Sequence, residues 1–281
     1  MASPTLSVVP EPRRRRIPPL RSGVYILPNL FTTGGLVAGF YSIICTHNAA
    51  LVSANKAPST FKWAAGMILL AQVCDMLDGR IARLTRSTSS FGVQYDSLAD
   101  LIAFGVAPGF LVYTWTLTAW GRWGWLAATV YVVCAALRLA RFNVQVATVE
   151  KRHFIGLPSP AAADVVASTV LLFYRLSPQG TPAPHVLMLI VIFAVAALMV
   201  SEIRYFSFKE FRIHRRHPFS VLLGMIAIIL LTIGAPEPML FLGMYGFALS
   251  GPMAAVWRFA RRRARGGGSP PAAVSTSGVS A

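Results

Sequence analysis

Four of the ten acidic residues of the chain lie within one stretch of 26 positions. They form two pairs: Asp75 and Asp78 are three residues apart, and Asp96 and Asp100 are four apart. Each pair therefore falls on one face of a helix. We expect the segment between them, residues 80–95, to reverse the chain, so that two antiparallel helices bring both pairs together at one depth. The pattern predicts a cluster of four carboxylates.

Such a cluster needs a compensating charge, because each carboxylate costs roughly 2.5–3.5 kcal/mol to place uncompensated in a membrane. Divalent cations that prefer hard oxygen ligands, Mg²⁺, Mn²⁺ or Ca²⁺, are suitable partners. Two other interpretations stay open for any single aspartate. Asp75 and Asp78 could cap a helix or pair with arginines, namely Arg80, Arg83 and Arg86. Asp96 and Asp100 could favour a helix N-terminus through its dipole.

Small residues between the two pairs favour the metal interpretation. Gly79 and Ala82 are three positions apart and would leave a groove beside the carboxylates. Arg83 follows Gly79 by one turn and can reach a phosphate with two N–H groups. Gly92 lies one turn before Asp96 on the same face. Metal ions, bare backbone and a guanidinium together describe a diphosphate-binding site.

The composition places these residues in a membrane. The chain is 55% hydrophobic and 13% charged, whereas soluble domains carry about 25% charged residues. We predict an all-α, polytopic transmembrane bundle, with a catalytic domain over residues 22–260 between basic tails at 1–21 and 261–281. About eight apolar segments are expected to span the membrane: 24–45, 61–74, 101–117, 124–137, 160–173, 186–201, 219–235 and 239–257.

The net charge of +16 argues for membrane lipids as partners and against nucleic acid, since the basic residues flank apolar segments. With the N-terminus in the cytoplasm and eight spans, 22 of the 26 Lys and Arg residues lie on the cytoplasmic side. This is the asymmetry that the positive-inside rule requires. We therefore expect an integral protein of the cell (inner) membrane, with both termini and the active site facing the cytoplasm.

The pattern D-x2-D-G-x2-A-R-x8-G-x3-D-x3-D, present from Asp75 to Asp100, resembles the signature of the CDP-alcohol phosphotransferase family. The resemblance implies that Asp75, Asp78 and Asp96 bind two divalent ions, Mg²⁺ or Mn²⁺. It implies that Asp100 lies close to or touches one ion and acts as general base. The CDP-lipid would contact a set of six residues: Asn29, Thr32, Gly79, Ala82, Arg83 and Gly92. The family also suggests a homodimer.

An alternative remains for the first span. Its segment PNLFTTGGL, residues 28–36, contains Asn29 and Thr32 three positions apart, and Gly34, Gly35 and Gly39 follow. Small residues of this kind also serve ordinary close helix packing in membranes.

Two further segments bear on the acceptor alcohol. RLARFN, residues 138–143, followed by GLPSPAAA, residues 156–163, is similar to the bacterial integral-membrane phosphatidylserine synthases. This implies transfer of a phosphatidyl group from CDP-diacylglycerol to L-serine, with release of CMP. Arg138 and Arg141 would bind the serine carboxylate or a lipid phosphate, or would simply flank a span. Asn143 belongs to the same candidate acceptor site. Asp164 would either pair with an arginine or bind an amine.

Other functions fit parts of this pattern. The aspartate motif alone also suits a phosphatidylglycerophosphate, phosphatidylinositol or phosphatidylcholine synthase. A cation transporter with an acidic site is the alternative from another class. A transporter would carry its carboxylates at mid-span, whereas these are expected near one membrane face.

Overall fold

The computed structural model describes residues 26–53, 56–85, 89–146, 154–180, 186–205, 226 and 229–266, and this part of the chain is largely helical. The α-helices are α1 (Ile26–Leu51), α2 (Ala57–Thr85), α3 (Ser90–Asp100), α4 (Ala107–Val112), α5 (Arg122–Val146), α6 (Ser159–Leu176), α7 (Val186–Val200) and α8 (Pro236–Gly266). π-Helical turns at Leu101–Val106 and Tyr113–Leu117 and a 3₁₀ turn at Thr118–Trp120 extend α3 and α4 into one rod. Strands β1 (Phe154–Ile155) and β2 (Arg204–Tyr205) pair antiparallel.

Five of the described helices are long and apolar enough to cross a membrane: Pro28–Leu51, Ala57–Thr85, Phe91–Trp120, Arg122–Val144 and Pro236–Arg258. They confirm the predicted class, a polytopic transmembrane helical bundle. The fifth and sixth predicted spans coincide with α6 and the shorter apolar helix α7. Of the seventh, 219–235, the structure describes residues 226 and 229–235, which are helical except for 235, and the tail 1–21 lies outside the described residues. Helix α8 continues to Gly266, beyond the predicted start of the C-terminal tail at 261.

The chain reverses within the predicted segment, residues 80–95. Helix α2 continues to Thr85 and α3 begins at Ser90, so the two helices already include most of that segment. Ser89 caps α3, because its backbone is extended and its Oγ accepts a 2.9 Å hydrogen bond from the Gly92 amide. The aspartates consequently lie within helices. A helix dipole favours negative charge in the first turn only, and Asp96 and Asp100 lie beyond the first turn of α3.

Small residues let the central helices approach closely. Helix α1 packs most extensively against α2, with Gly35 facing the Ala71 carbonyl. A Cβ atom at Gly39 would lie 2.7 Å from the Cα of Ala103, so α1 also touches the π-helical turn after α3. Glycine and alanine contacts are the usual basis of helix association in lipid. The packing interpretation of the glycines is therefore confirmed for Gly35 and Gly39.

Two prolines inside helices each leave a carbonyl that a tyrosine satisfies. Pro108 has no N–H for the Phe104 carbonyl one turn earlier, and the Tyr131 hydroxyl donates to that carbonyl at 3.1 Å. Pro252 has the same effect on the Ala248 carbonyl, to which Tyr205 donates at 3.0 Å. The interior of a membrane bundle offers little water for an unpaired carbonyl, so these bonds link neighbouring elements.

The segment before α6 is fixed to the end of α7. Besides the β1–β2 pairing, the Gly156 amide donates to the Ile203 carbonyl at 2.9 Å, and the Leu157 amide donates to the Leu198 carbonyl at 3.0 Å. Gly156 has φ +79°, and a Cβ there would lie 2.5 Å from the Met199 carbonyl oxygen, so only glycine fits. The GLPSP segment is thus a rigid start for α6.

Two ion pairs mark the opposite ends of the bundle. Arg141 of α5 lies 3.6 Å from Glu202, just after α7. Arg175 near the end of α6 lies 3.0 Å from Glu237 at the start of α8. The aspartate cluster shares the end marked by Arg141 and Glu202, because Asn143 of α5 bonds to Ser97 of α3.

Candidate active site

The two aspartate pairs converge as predicted. Asp75, Asp78 and Asp96 each contribute one carboxylate oxygen to a group of three oxygens that lie within 4.8 Å of one another. They border a cavity of about 10 Å³, which also touches Asp100 and is the size of one water or one bare ion. An all-carboxylate shell of this size suits a hard divalent cation. The donor set therefore fits the metal site expected from the sequence.

Asp100 stands apart from the triad. It lines the same small cavity, but its oxygens are not within the 4.8 Å set. It interacts electrostatically with the other three aspartates and with the guanidinium of Arg138. Asp100 is also the last residue of α3, immediately before the π-helical turn Leu101–Val106. Turns of this kind are rare and often occur at functional sites, because they change the direction of the following side chains.

Helix α1 closes the site from the other side. The buried Thr32 donates through Oγ1 to Oδ2 of Asp78 at 2.8 Å. The next residue, Thr33, has its hydroxyl 2.9 Å from that of Tyr95, which precedes Asp96. Sequence reasoning placed Thr32 beside the CDP group but missed its bond to Asp78, and it missed Thr33 and Tyr95 altogether. Helical spacing relates residues within α1 and does not show which partner each hydroxyl meets on α2 or α3.

A groove of about 210 Å³ opens beside the triad. Its lining includes every residue predicted to contact the CDP-lipid, together with two of the triad aspartates: Asn29, Thr32, Gly79, Ala82, Arg83, Gly92, Asp78 and Asp96. Gly79 is open to it, because the nearest atom to a Cβ there would be Arg83 Nη2 at 4.0 Å. The structure thus brings the predicted diphosphate site and metal site together.

Arg83 takes part in this groove rather than in an ion pair. Its Nε donates to the Gly79 carbonyl at 2.8 Å, and the side chain is exposed. Within the described helices, neither Asp75 nor Asp78 forms an ion pair with Arg80 or Arg83, and Arg86 lies outside the described residues. The alternative in which arginines neutralise the first aspartate pair is not supported for these residues.

The two arginines of RLARFN point in different directions. Arg138 Nη1 donates to Ser159 Oγ at 2.6 Å, and its charge interacts with Asp100. Arg141 instead pairs with the exposed Glu202 and donates to the Val200 carbonyl at 3.4 Å. Their spacing places both on one side of α5, but α6 and α7 cover that side at different positions. Of the two, Arg138 is the one beside the aspartates.

The other two acceptor candidates also differ. Asn143 exchanges hydrogen bonds with Ser97, the Nδ2···Oγ distance being 2.9 Å, and so ties α5 to α3. Asp164 is 1% exposed, and both its carboxylate oxygens are buried with no hydrogen-bond partner in the part of the chain that the structure describes. Gln72 approaches it in a geometry too poor for a hydrogen bond. No arginine of the described residues pairs with Asp164.

Comparison with known proteins agrees with this geometry. Residues 25–196 match the CDP-alcohol phosphatidyltransferase family, a range that contains the triad, Asp100 and the groove. A CDP-diacylglycerol–serine O-phosphatidyltransferase of Helicobacter pylori is 37% identical over 229 residues, covering 79% of this chain and 88% of the relative. Proteins of the same name from Mycobacterium leprae and Saccharomyces cerevisiae are each 37% identical, over 58% and 46% of this chain and 51% and 48% of theirs. The chain belongs to the CDP-alcohol phosphatidyltransferase family.

Proposed function

We propose that this protein transfers the phosphatidyl group of CDP-diacylglycerol to L-serine, which yields phosphatidylserine and CMP. The observation that carries the proposal is the convergence of Asp75, Asp78 and Asp96 beside a groove lined by the six residues expected to hold a CDP-lipid. The names of the relatives from bacteria, archaea and yeast support serine as the acceptor. The chain is an integral membrane enzyme of phospholipid biosynthesis.

Enzymes of this family depend on divalent metal ions, and the triad is where such ions fit. Asp75, Asp78 and Asp96 would hold the metal, with Asp100 at the edge of the same cavity. When bound, two Mg²⁺ or Mn²⁺ ions would neutralise the diphosphate and stabilise CMP as the leaving group. Thr32 keeps Asp78 oriented through its 2.8 Å hydrogen bond.

The groove beside the triad would hold the CDP group. Gly79 and Ala82 leave the surface of α2 low enough for a nucleotide to lie against it. Arg83 reaches the same groove and can bind phosphate oxygens with its terminal N–H groups. Asn29 and Gly92 form the opposite wall, where a Cβ at Gly92 would lie 3.3 Å from Asn29 Oδ1.

Asp100 is the residue that we assign as general base. Its carboxylate lies at the edge of the triad and outside the set of metal-facing oxygens. It would take the proton from the serine hydroxyl while that oxygen forms a bond to the diacylglycerol-linked phosphorus. The bond from this phosphorus to the bridging oxygen breaks, and CMP leaves.

The acceptor would bind between Asp100 and the start of α6. Arg138 is beside Asp100, so its guanidinium is suited to the serine carboxylate. Asp164 is a buried carboxyl group with no hydrogen-bond partner among the described residues, and a serine ammonium bound beside it would compensate the charge of the ionised form. Arg141 and Asn143 would contribute indirectly, because each already binds a neighbouring element.

The setting of the enzyme follows from the charge pattern. We propose a cell (inner) membrane location with both termini and the aspartate cluster at the cytoplasmic face, because 22 of 26 basic residues then lie inside. A homodimer is proposed on the family resemblance. The cation-transporter alternative is disfavoured, since the carboxylates cluster at one end of the bundle beside a groove lined by the residues expected to hold a CDP-lipid.

The test is an acceptor panel with the purified protein in mixed micelles containing CDP-diacylglycerol and either Mg²⁺ or Mn²⁺. L-Serine, glycerol 3-phosphate, inositol and choline are supplied separately, and lipid product and CMP are measured. We expect phosphatidylserine and an equal amount of CMP with serine alone, and no product after chelation of the metal. Product from another alcohol but not from serine would reject the serine assignment and favour another synthase of the family. The Asp78→Ala variant is the inactive control.

A further inference from the structure

The GLPSP segment contributes a side chain to the site that neither its sequence pattern nor the aspartate motif indicates. Ser159, the first residue of α6, is 1% exposed, and its Oγ accepts the 2.6 Å hydrogen bond from Arg138 Nη1. The N-cap position is Pro158, which has no side-chain capping bond, so the Ser159 hydroxyl does not serve to cap the helix. Its described partner is the arginine.

Ser159 is held in place independently of Arg138. Pro158 and Pro160 restrict the backbone on both sides, and the amides of Gly156 and Leu157 bind the end of α7. The Cα and Cβ of a serine on such a segment have fixed positions, so its hydroxyl is limited to the few staggered rotamers about χ1. The long side chain of Arg138 has many rotamers, so the hydrogen bond to Ser159 selects one of them.

Arg138 has a second possible partner that it does not reach. The Asp100 carboxylate attracts the guanidinium, yet in the described part of the chain the two do not form an ion pair, for which a nitrogen and an oxygen must lie within 4.0 Å. At the same time Arg138 Nε is buried with no hydrogen-bond acceptor among the described residues. A buried cationic N–H with no acceptor is costly, and it indicates a place for an anionic ligand group.

We propose that Ser159 is a positioning residue for the acceptor, a proposal that rests on the proposed function. Its hydroxyl holds Arg138 so that the remaining N–H groups of the guanidinium bind the carboxylate of the amino-acid acceptor. It also keeps the guanidinium from closing onto Asp100. Without Ser159, Arg138 is expected to turn toward Asp100. The guanidinium would then be lost as the group that binds the acceptor carboxylate, and it would also pair with Asp100, the general base.

The experiment compares L-serine with L-serinamide, which keeps the hydroxyl and the amine but lacks the carboxylate. In wild-type enzyme we expect a strong preference for serine, measured as the ratio of the two kcat/KM values. Ser159→Ala should raise the KM for serine about tenfold or more, the size expected for losing a hydrogen bond to a charged group. The ratio should fall with it, while the KM for CDP-diacylglycerol stays within about twofold of wild type.

Three further variants make the result decisive. Ser159→Thr keeps the hydroxyl and should retain the serine preference. Ser159→Cys fills the space but is a weak acceptor, so it should behave like Ser159→Ala even if the alanine variant folds poorly. Ser168→Ala removes another buried hydroxyl of α6, one that donates to Val165, and should leave the ratio unchanged.

An unchanged serine-to-serinamide ratio in both Ser159→Ala and Ser159→Cys would overturn the role of Ser159 while leaving serine as the acceptor. Wild-type enzyme that makes product from another alcohol and none from serine would instead reject the proposed function, and the Ser159 proposal with it.

In an Arg138→Ala background, adding Ser159→Ala should have no further effect on the ratio, because the group that it positions is gone. An added effect of several-fold would contradict the mechanism.

Discussion

The hydroxyl of Thr32 donates a 2.8 Å hydrogen bond to Oδ2 of Asp78, which joins α1 to a metal-facing carboxylate on α2. Both residues are buried, and a hydrogen bond in such surroundings is electrostatically stronger than in water. A carboxylate that binds a metal through one oxygen is oriented by what holds the other. The geometry therefore makes Thr32 a support for metal binding as well as part of the groove wall.

Replacing Thr32 with valine keeps the shape of the side chain and removes the hydroxyl. We expect the affinity of the purified protein for Mn²⁺ to fall about 10- to 100-fold, the range measured for groups that orient metal ligands. Mn²⁺ binding is followed directly by electron paramagnetic resonance, without substrate. Thr46→Val removes a buried hydroxyl of the same helix, which donates to the Ser42 carbonyl, and is the matched control. Equal Mn²⁺ affinities in Thr32→Val, the control and wild type would remove Thr32 from the metal site.

Asp100→Asn tests the separation of the general base from the metal triad. Since Asp100 is outside the three-carboxylate set, this variant should keep Mn²⁺ and CDP-diacylglycerol binding while kcat falls by about 10²- to 10⁴-fold. Asp78→Ala should instead lose metal-dependent binding of the donor lipid. Binding is measured by titration in micelles with and without a chelator. Near wild-type turnover in Asp100→Asn would exclude it as base, and undiminished donor binding in Asp78→Ala would exclude that residue as a ligand.

Asp164→Asn tests whether the buried carboxylate binds the serine ammonium. If it does, the neutral isostere should raise the KM for serine about tenfold or more, as expected when a charged hydrogen bond is lost. 3-Hydroxypropionate has the hydroxyl and the carboxylate of serine but no amine, so the preference for serine over 3-hydroxypropionate should fall as well. A variant with unchanged KM and preference but altered thermal stability would show that Asp164 serves helix packing only.

The site was predictable where the relevant information is local. Spacings of three and four residues place Asp75 with Asp78 and Asp96 with Asp100, and a single helical hairpin then brings the pairs together. The same rule placed Arg138 and Arg141 on one face but could not separate their roles. That separation depends on what covers the face: Ser159 of α6 in one case and Glu202 after α7 in the other.

Two features needed tertiary information as well. The sequence did not predict where the chain reverses within residues 80–95: α2 continues to Thr85, and Ser89 caps α3, which begins at Ser90. Composition alone does not separate a polar helix end from a loop. The π-helical turn after Asp100 lies close to Pro108, but a proline predicts only a local break and not its form. The tyrosine that satisfies the freed carbonyl comes from another helix.

The pairing of Tyr205 with Pro252 gives a stability prediction away from the active site. Burial raises the pKa of the Tyr205 phenol to about 12, so it remains a hydrogen-bond donor at neutral pH. Its contribution should be complete below the unfolded value near 10 and be lost only as pH rises through about 12. Tyr205→Phe leaves the Ala248 carbonyl unpaired and should destabilise the protein by about 1–3 kcal/mol.

The matched experiment adds Pro252→Ala, which restores an N–H for the Ala248 carbonyl. The loss caused by Tyr205→Phe should then shrink, so the two substitutions are non-additive in unfolding free energy. Thermal unfolding in micelles is measured for both single variants and the double variant, with Tyr41→Phe on the exposed face of α1 as control. Because Tyr205→Phe keeps the ring, additive effects would mean that the Tyr205 hydroxyl stabilises the protein independently of Pro252, which would contradict its role at the proline-freed carbonyl.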